Sequence, residues 1–110
     1  MQRFSEYRIM WVIVFFDLPT ATAKDRKAYT IFRKNLLRDG FIQFQFSIYV
    51  RHCASRENAI VHIERVKSFI PPNGDVCIMT ITDKQFGDIK VFHNKEICSS
   101  NEPGVQLELF

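Results

Sequence analysis

Residues 7–16 (YRIMWVIVFF) form an almost unbroken apolar run rich in β-branched and aromatic types. Such a run predicts a strand covered on both faces and therefore central in its sheet. Asp17-Leu18-Pro19 ends it, because proline has no N–H to give a ladder. Apolar positions then recur with helical spacing over residues 22–38, where Ala28, Tyr29, Ile31, Phe32, Leu36 and Leu37 supply the stripe. Thr22 with Asp25 three residues on matches a capping box, and Asp39-Gly40 a helix stop with Gly40 in the left-handed position. Residues 41–52 (FIQFQFSIYVRH) alternate, with Phe44, Phe46, Ile48 and Val50 on one parity and Gln43, Gln45, Ser47, Tyr49 and Arg51 on the other. No Gly or Asn-Gly marks a turn there, so one long strand and a tight hairpin both fit. A second helix over residues 55–70 has Ser55 as its N-cap and Ala59, Ile60, Ile63, Val66 and Ile70 as its stripe; Pro71-Pro72-Asn73-Gly74 breaks it. Residues 75–82 read as a strand, 83–87 as a short helical turn, 89–93 as a further strand and 94–104 as a polar loop. Residues 105–110 (VQLELF) alternate again, with Val105, Leu107 and Leu109 on one side.

With the middle segment split, the order is β-α-β-β-α-β, the ferredoxin-like arrangement of an α+β domain, both helices covering one sheet face. The expected domain is 1–93, and 94–110 is a C-terminal extension whose strand at 105–110 pairs with a partner subunit or another protein. The face turned away from the helices is too apolar to leave wet. Packing it on a second copy, as a homodimer, resolves that.

Composition supports a single folded domain: 110 residues, 46% hydrophobic, with eleven Phe. The formal charge of +3 is mild, and it permits nucleic-acid binding without requiring it. Its distribution is more telling. Lys24, Arg26, Lys27, Arg33, Lys34 and Arg38 crowd the first helix and leave one face basic, either to hold phosphates or simply to face solvent. Cys53, Cys77 and Cys98 are odd in number and widely spaced, which argues against a disulfide framework or a zinc site and predicts small buried or half-buried side chains in a reducing cytoplasm. The longest apolar run is too short to span a bilayer and no targeting pattern precedes it, so a cytoplasmic protein with no membrane partner is expected.

Asp17 is the one carboxylate flush against the end of the apolar strand. It either caps its own turn or offers a hard oxygen ligand to a cation such as Mg²⁺ at the sheet rim. A lone carboxylate holds Mg²⁺ poorly, whereas two copies of Asp17 in a homodimer could share one ion. Ser47, Tyr49 and Arg51 share a parity that could face a ligand or partner, and Ser47 has no base beside it to make it a nucleophile. His52, His62 and His93 are scattered, with His62 expected on the polar face of the second helix. There is no phosphate-binding glycine loop and no nucleophile elbow.

The apolar strand ending in Asp17-Leu18-Pro19, the basic helix, and Gly40-Phe41 leading into Gln45-Phe46-Ser47-Ile48-Tyr49 together resemble the CRISPR-associated protein 2 family. The strings KDRKAYTIFRKNLL, GFIQFQFSIYVR and TITDKQFGDI resemble its type II-system branch, and the likeness spans roughly residues 7–93. The resemblance implies a ferredoxin-like fold, a homodimer packed through the sheet faces, and a C-terminal strand completing the partner's sheet. It implies a Mg²⁺-dependent endonuclease acting on single-stranded RNA or double-stranded DNA, with Asp17 as the metal ligand and Ser47 assisting. It further implies a place in CRISPR spacer acquisition, bridging dimers of the CRISPR-associated protein 1 integrase; in that alternative the protein is a non-catalytic adaptor holding prespacer DNA. Arg26 and Lys27 match the family's early basic pair, and Lys24, Arg33 and Lys34 extend it as nucleic-acid contacts. Tyr49, Val105, Leu107 and Leu109 are the residues expected to meet a partner. Phe16 and Gln43 stand where the family often carries Tyr and Arg.

Overall fold

A computed structural model describes residues 8–98. The order is β1 (Met10–Asp17), α1 (Ala23–Arg38), β2 (Ile42–Gln45), β3 (Ile48–Cys53), α2 (Arg56–Ser68), β4 (Asp75–Thr82), α3 (Asp83–Gly87), β5 (Phe92–His93) and β6 (Glu96–Ile97). The first six elements make the β-α-β-β-α-β unit. Its sheet runs β2-β3-β1-β4, and all three pairings are antiparallel. β1 is central, as its apolar character predicts.

The local signals hold where they are purely local. The Thr22 hydroxyl accepts from the Asp25 backbone N–H at 3.0 Å, and the Asp25 carboxylate accepts from the Thr22 N–H at 3.3 Å. Ser55 caps α2 in the same way, accepting from the Asn58 N–H at 3.1 Å. Gly40 has φ +90, the left-handed conformation the helix stop requires. Residues 41–52 are a hairpin rather than one strand, with Phe46 and Ser47 forming the turn. The turn is tied from elsewhere: the Phe16 N–H donates to the Ser47 carbonyl at 3.1 Å, and Gln43 Nε2 donates to the Phe46 carbonyl at 3.4 Å.

Alternation along β1 divides the molecule. Met10, Val12, Val14 and Phe16 point into a core closed by Phe32 and Leu36 of α1 and by Ala59 and Val66 of α2. Trp11 points to the opposite side, where it joins Phe44, Val50, Phe86 and Val91 in a second cluster. This second face is therefore not wholly open. Trp11 stacks on Phe86 of α3 with ring centroids 3.8 Å apart and planes within 7°. Its indole N–H donates to Asp83 Oδ1 at 2.7 Å. The segment read as a short helical turn thus covers the Trp11 end of this face, and the indole finds both a ring and a carboxylate there.

Several burial assignments are corrected. Ile31 and Leu37 of α1 and Ile60 of α2 are exposed, so the buried stripes are narrower than the apolar spacing suggests. Tyr49 is wholly buried beneath α1 and cannot meet a partner from there. Both faces of β3 are covered, and Tyr takes the helix side because its ring is a large apolar body. Arg51 does not face a ligand either. Its Nε donates to the Asp39 carbonyl at 2.8 Å, closing the end of α1. His62 is buried rather than polar-facing: its Nδ1 lies 2.7 Å from Asp39 Oδ2, and the other Asp39 oxygen accepts from Arg65 at 3.0 Å. Cys77 is exposed, against the expectation of burial, while Cys53 is buried and Cys98 half-buried. Of residues 89–93 only Phe92–His93 are a strand; Asn94 and Lys95, with φ 53 and 70, turn it back into β6. Val105, Leu107 and Leu109 lie outside the described residues. Among the described residues no helix is long and apolar enough to cross a membrane.

Candidate functional site

Asp17 is the last residue of β1 and is exposed. In the antiparallel ladder it stands directly opposite Asp75, the first residue of β4, also exposed. Directly opposed residues of an antiparallel pair put their side chains on the same face, so the two carboxylates sit side by side. Among the described residues neither forms an ion pair. Two adjacent uncompensated carboxylates are unfavourable for the fold alone. Both line an open depression on the second sheet face, together with Phe15, Ser47, Ile48 and Cys77. Ser47 therefore lines the same depression as Asp17, because the β2–β3 turn is hydrogen-bonded to the end of β1.

Asp75 is the residue that sequence reading missed. Its only sequence signal is a carboxylate just after the Pro-Pro-Asn-Gly break, and only strand register reveals what it faces. Gly74, at φ +100, makes that approach possible. A Cβ there would come within 2.7 Å of Leu18 Cδ2 and 2.9 Å of the Asp17 carbonyl, so the chain entering β4 passes flush against the segment leaving β1.

The basic residues of α1 are not all equivalent. Lys24, Lys27, Arg33 and Lys34 are exposed. Arg26 donates through Nη1 to the carbonyls of Thr20 and Ala21, both at 3.2 Å, and so fastens the loop between Asp17 and α1. Arg33 reaches toward the Tyr49 phenol, whose hydroxyl is shielded from water and makes no regular hydrogen bond. Burial pushes the Tyr49 pKa up, and the nearby guanidinium opposes part of that rise.

The model of the CRISPR associated protein Cas2 family matches residues 10–89, from the first residue of β1 to just beyond α3. The chain belongs to the Cas2 family. It is 54% identical over 108 residues to the "CRISPR-associated endoribonuclease Cas2" of Flavobacterium psychrophilum, covering 98% of this chain and 94% of that one. It is also 54% identical to the protein of the same name from Parvibaculum lavamentivorans, over 92% of this chain and all of that one. The Ligilactobacillus salivarius protein so named is 41% identical over 80% of this chain and 87% of its own.

The divalent cation expected near Asp17 from the family resemblance would find two hard oxygen donors here, Asp17 and Asp75. Mg²⁺ is held through one or two carboxylates plus waters and substrate phosphates rather than in an all-protein cage. One chain offers Asp17 and Asp75, and among the described residues no group of three acidic, His or Cys side chains converges.

Proposed function

We propose that this Cas2-family chain is a divalent-metal-dependent endonuclease that works as a homodimer on nucleic acid in CRISPR spacer acquisition. One observation carries the reading: two unpaired carboxylates, Asp17 and Asp75, meet at the end of the central strand beside the Ser47 turn. The names of the relatives, all CRISPR-associated endoribonucleases, support it.

Asp17 and Asp75 would hold Mg²⁺, with the partner's copies of the same pair completing the site. When bound, the ion polarises a phosphate and lowers the pKa of a ligated water. The Ser47 hydroxyl supplies a neutral donor to a phosphate oxygen at the rim. Lys24, Lys27 and Lys34 hold the backbone further out, giving affinity without reading sequence. Those lysines also favour a second reading, in which the dimer holds prespacer DNA and bridges integrase subunits without cutting, since holding a backbone needs no metal.

Cleavage of single-stranded RNA and of duplex DNA, with Mg²⁺ and with chelator, separates the two. Asp17→Asn is expected to lower metal-dependent cleavage by about 100-fold or more, and Asp75→Asn by about 10-fold, with unfolding curves unchanged. Undiminished cleavage by Asp17→Asn would place the chemistry elsewhere. No cleavage by the native dimer, with DNA still held in a salt-dependent complex, would leave the adaptor reading.

A further inference from the structure

Phe46 is 77% exposed, more than any other large apolar side chain among the described residues. It occupies the first turn position between β2 and β3, with Ser47 of the acidic depression next in the chain. The turn that presents it is pinned by backbone and side-chain hydrogen bonds from Phe16 and Gln43, so the ring is displayed on a fixed support. Its ring neighbour is Tyr29 of α1, 6.5 Å away and tilted by 35°. Tyr29 packs on the helix-side core, so Phe46 sits beside α1 and not on the sheet face that carries Phe15 and Met79. One helical turn beyond Tyr29, on the same side of α1, stands Arg33, exposed and near the Tyr49 phenol.

A rigidly held, solvent-facing ring with a second aromatic beside it and a guanidinium next to them has the chemistry of a stacking platform for an unpaired base. Every base offers a π-face, and an adjacent cation takes the phosphate that follows. A paired base inside a duplex cannot present its face. We infer that Phe46, flanked by Tyr29 and Arg33, is a base-stacking site for a single-stranded nucleotide adjoining the Asp17–Asp75 depression. The inference rests on the nucleic-acid reading above and adds to it the residues that engage an unpaired base.

Binding in chelator, where nothing is cut, tests it. The probes are oligouridylate, oligothymidylate and a mixed-sequence DNA duplex, read by fluorescence anisotropy with sedimentation velocity as a check. Phe46→Ala is expected to weaken both single strands roughly ten- to hundred-fold, to leave duplex affinity within about twofold, and to leave the oligomeric state unchanged. Phe46→Trp is expected to retain single-strand binding, and its indole emission to be quenched on binding. Equal losses for RNA and DNA single strands are expected from stacking. Single-strand affinity indifferent to Phe46→Ala, or a fall shared with the duplex, overturns the inference while leaving the function reading intact. A Phe46→Ala protein that dissociates into monomers overturns it in favour of a subunit contact. Failure of the native protein to bind any of the three probes overturns both.

Discussion

On the side of the sheet facing α1 and α2, Val12 and Val14 are wholly buried; on the other side Phe15 and Met79 are 38% and 45% exposed. The difference is one of what each side is given to pack on. The helix side receives two amphipathic helices and closes over a continuous core from Met10 to Phe16. The other side receives Phe86 of α3 with Ile89, Val91 and Cys98, which pack with Trp11, Phe44 and Val50 but stop short of the Asp17 end. The uncovered apolar patch and the acidic pair therefore lie together. In the dimer proposed above, a second subunit would shield the apolar patch, and a cation held between the two acidic pairs would supply the counter-charge that neither pair carries.

The contrast can be broken by substitution. Phe32→Ala, on the closed side, is expected to cost about 3–5 kcal/mol in a denaturant titration; Met79→Ser, on the other, is expected to change monomer stability by about 0.5 kcal/mol or less while weakening self-association in sedimentation. Similar costs for both would mean the outer face is as tightly packed as the inner. A smaller effect sharpens the account of the helix layer. Asp39 ends α1 and holds His62 and Arg65 of α2, so Asp39→Ala is expected to cost about 1–3 kcal/mol, and Asp39→Asn less. The smallest effect is in pH. Burial raises the Tyr49 and Cys53 pKa values above their ordinary ranges, so the folded state holds these protons more tightly than the unfolded one. Their contribution is complete below the ordinary thiol and phenol values and is lost as pH rises through and beyond them. Tyr49→Phe is expected to flatten the decline above about pH 10 and to be neutral or stabilising at pH 7, since it removes an unsatisfied hydroxyl.

Legibility in the sequence followed the range of each signal. The caps at Thr22 and Ser55, the stop at Asp39-Gly40 and the Pro-Pro-Asn-Gly break act within one turn of chain, and all appear where the residues place them. The place of Asp17 at the end of β1 was legible because an abrupt end to an apolar run is itself local. The Phe46–Ser47 turn was not decidable, because its ties come from Phe16 and Gln43 instead of from a glycine. Asp75 was invisible for a related reason: its partner lies 58 positions earlier, and only the β1–β4 register joins them (75 − 17 = 58). His62 looked solvent-facing because Asp39, the group that makes its burial tolerable, sits on another helix.

Gly74 carries no atom that could reach a substrate, yet it sets how closely the lead-in to β4 approaches the Asp17 carbonyl. An added methyl would act like a shim driven between two floorboards, spreading the acidic pair and pressing on Leu18 at the edge of the helix-side core. A random mutagenesis screen scored on cutting should therefore recover position 74 among its losses, in protein that still folds but melts at a lower temperature because of the strained φ. Such a hit would mark a spacing requirement and not a missing functional group.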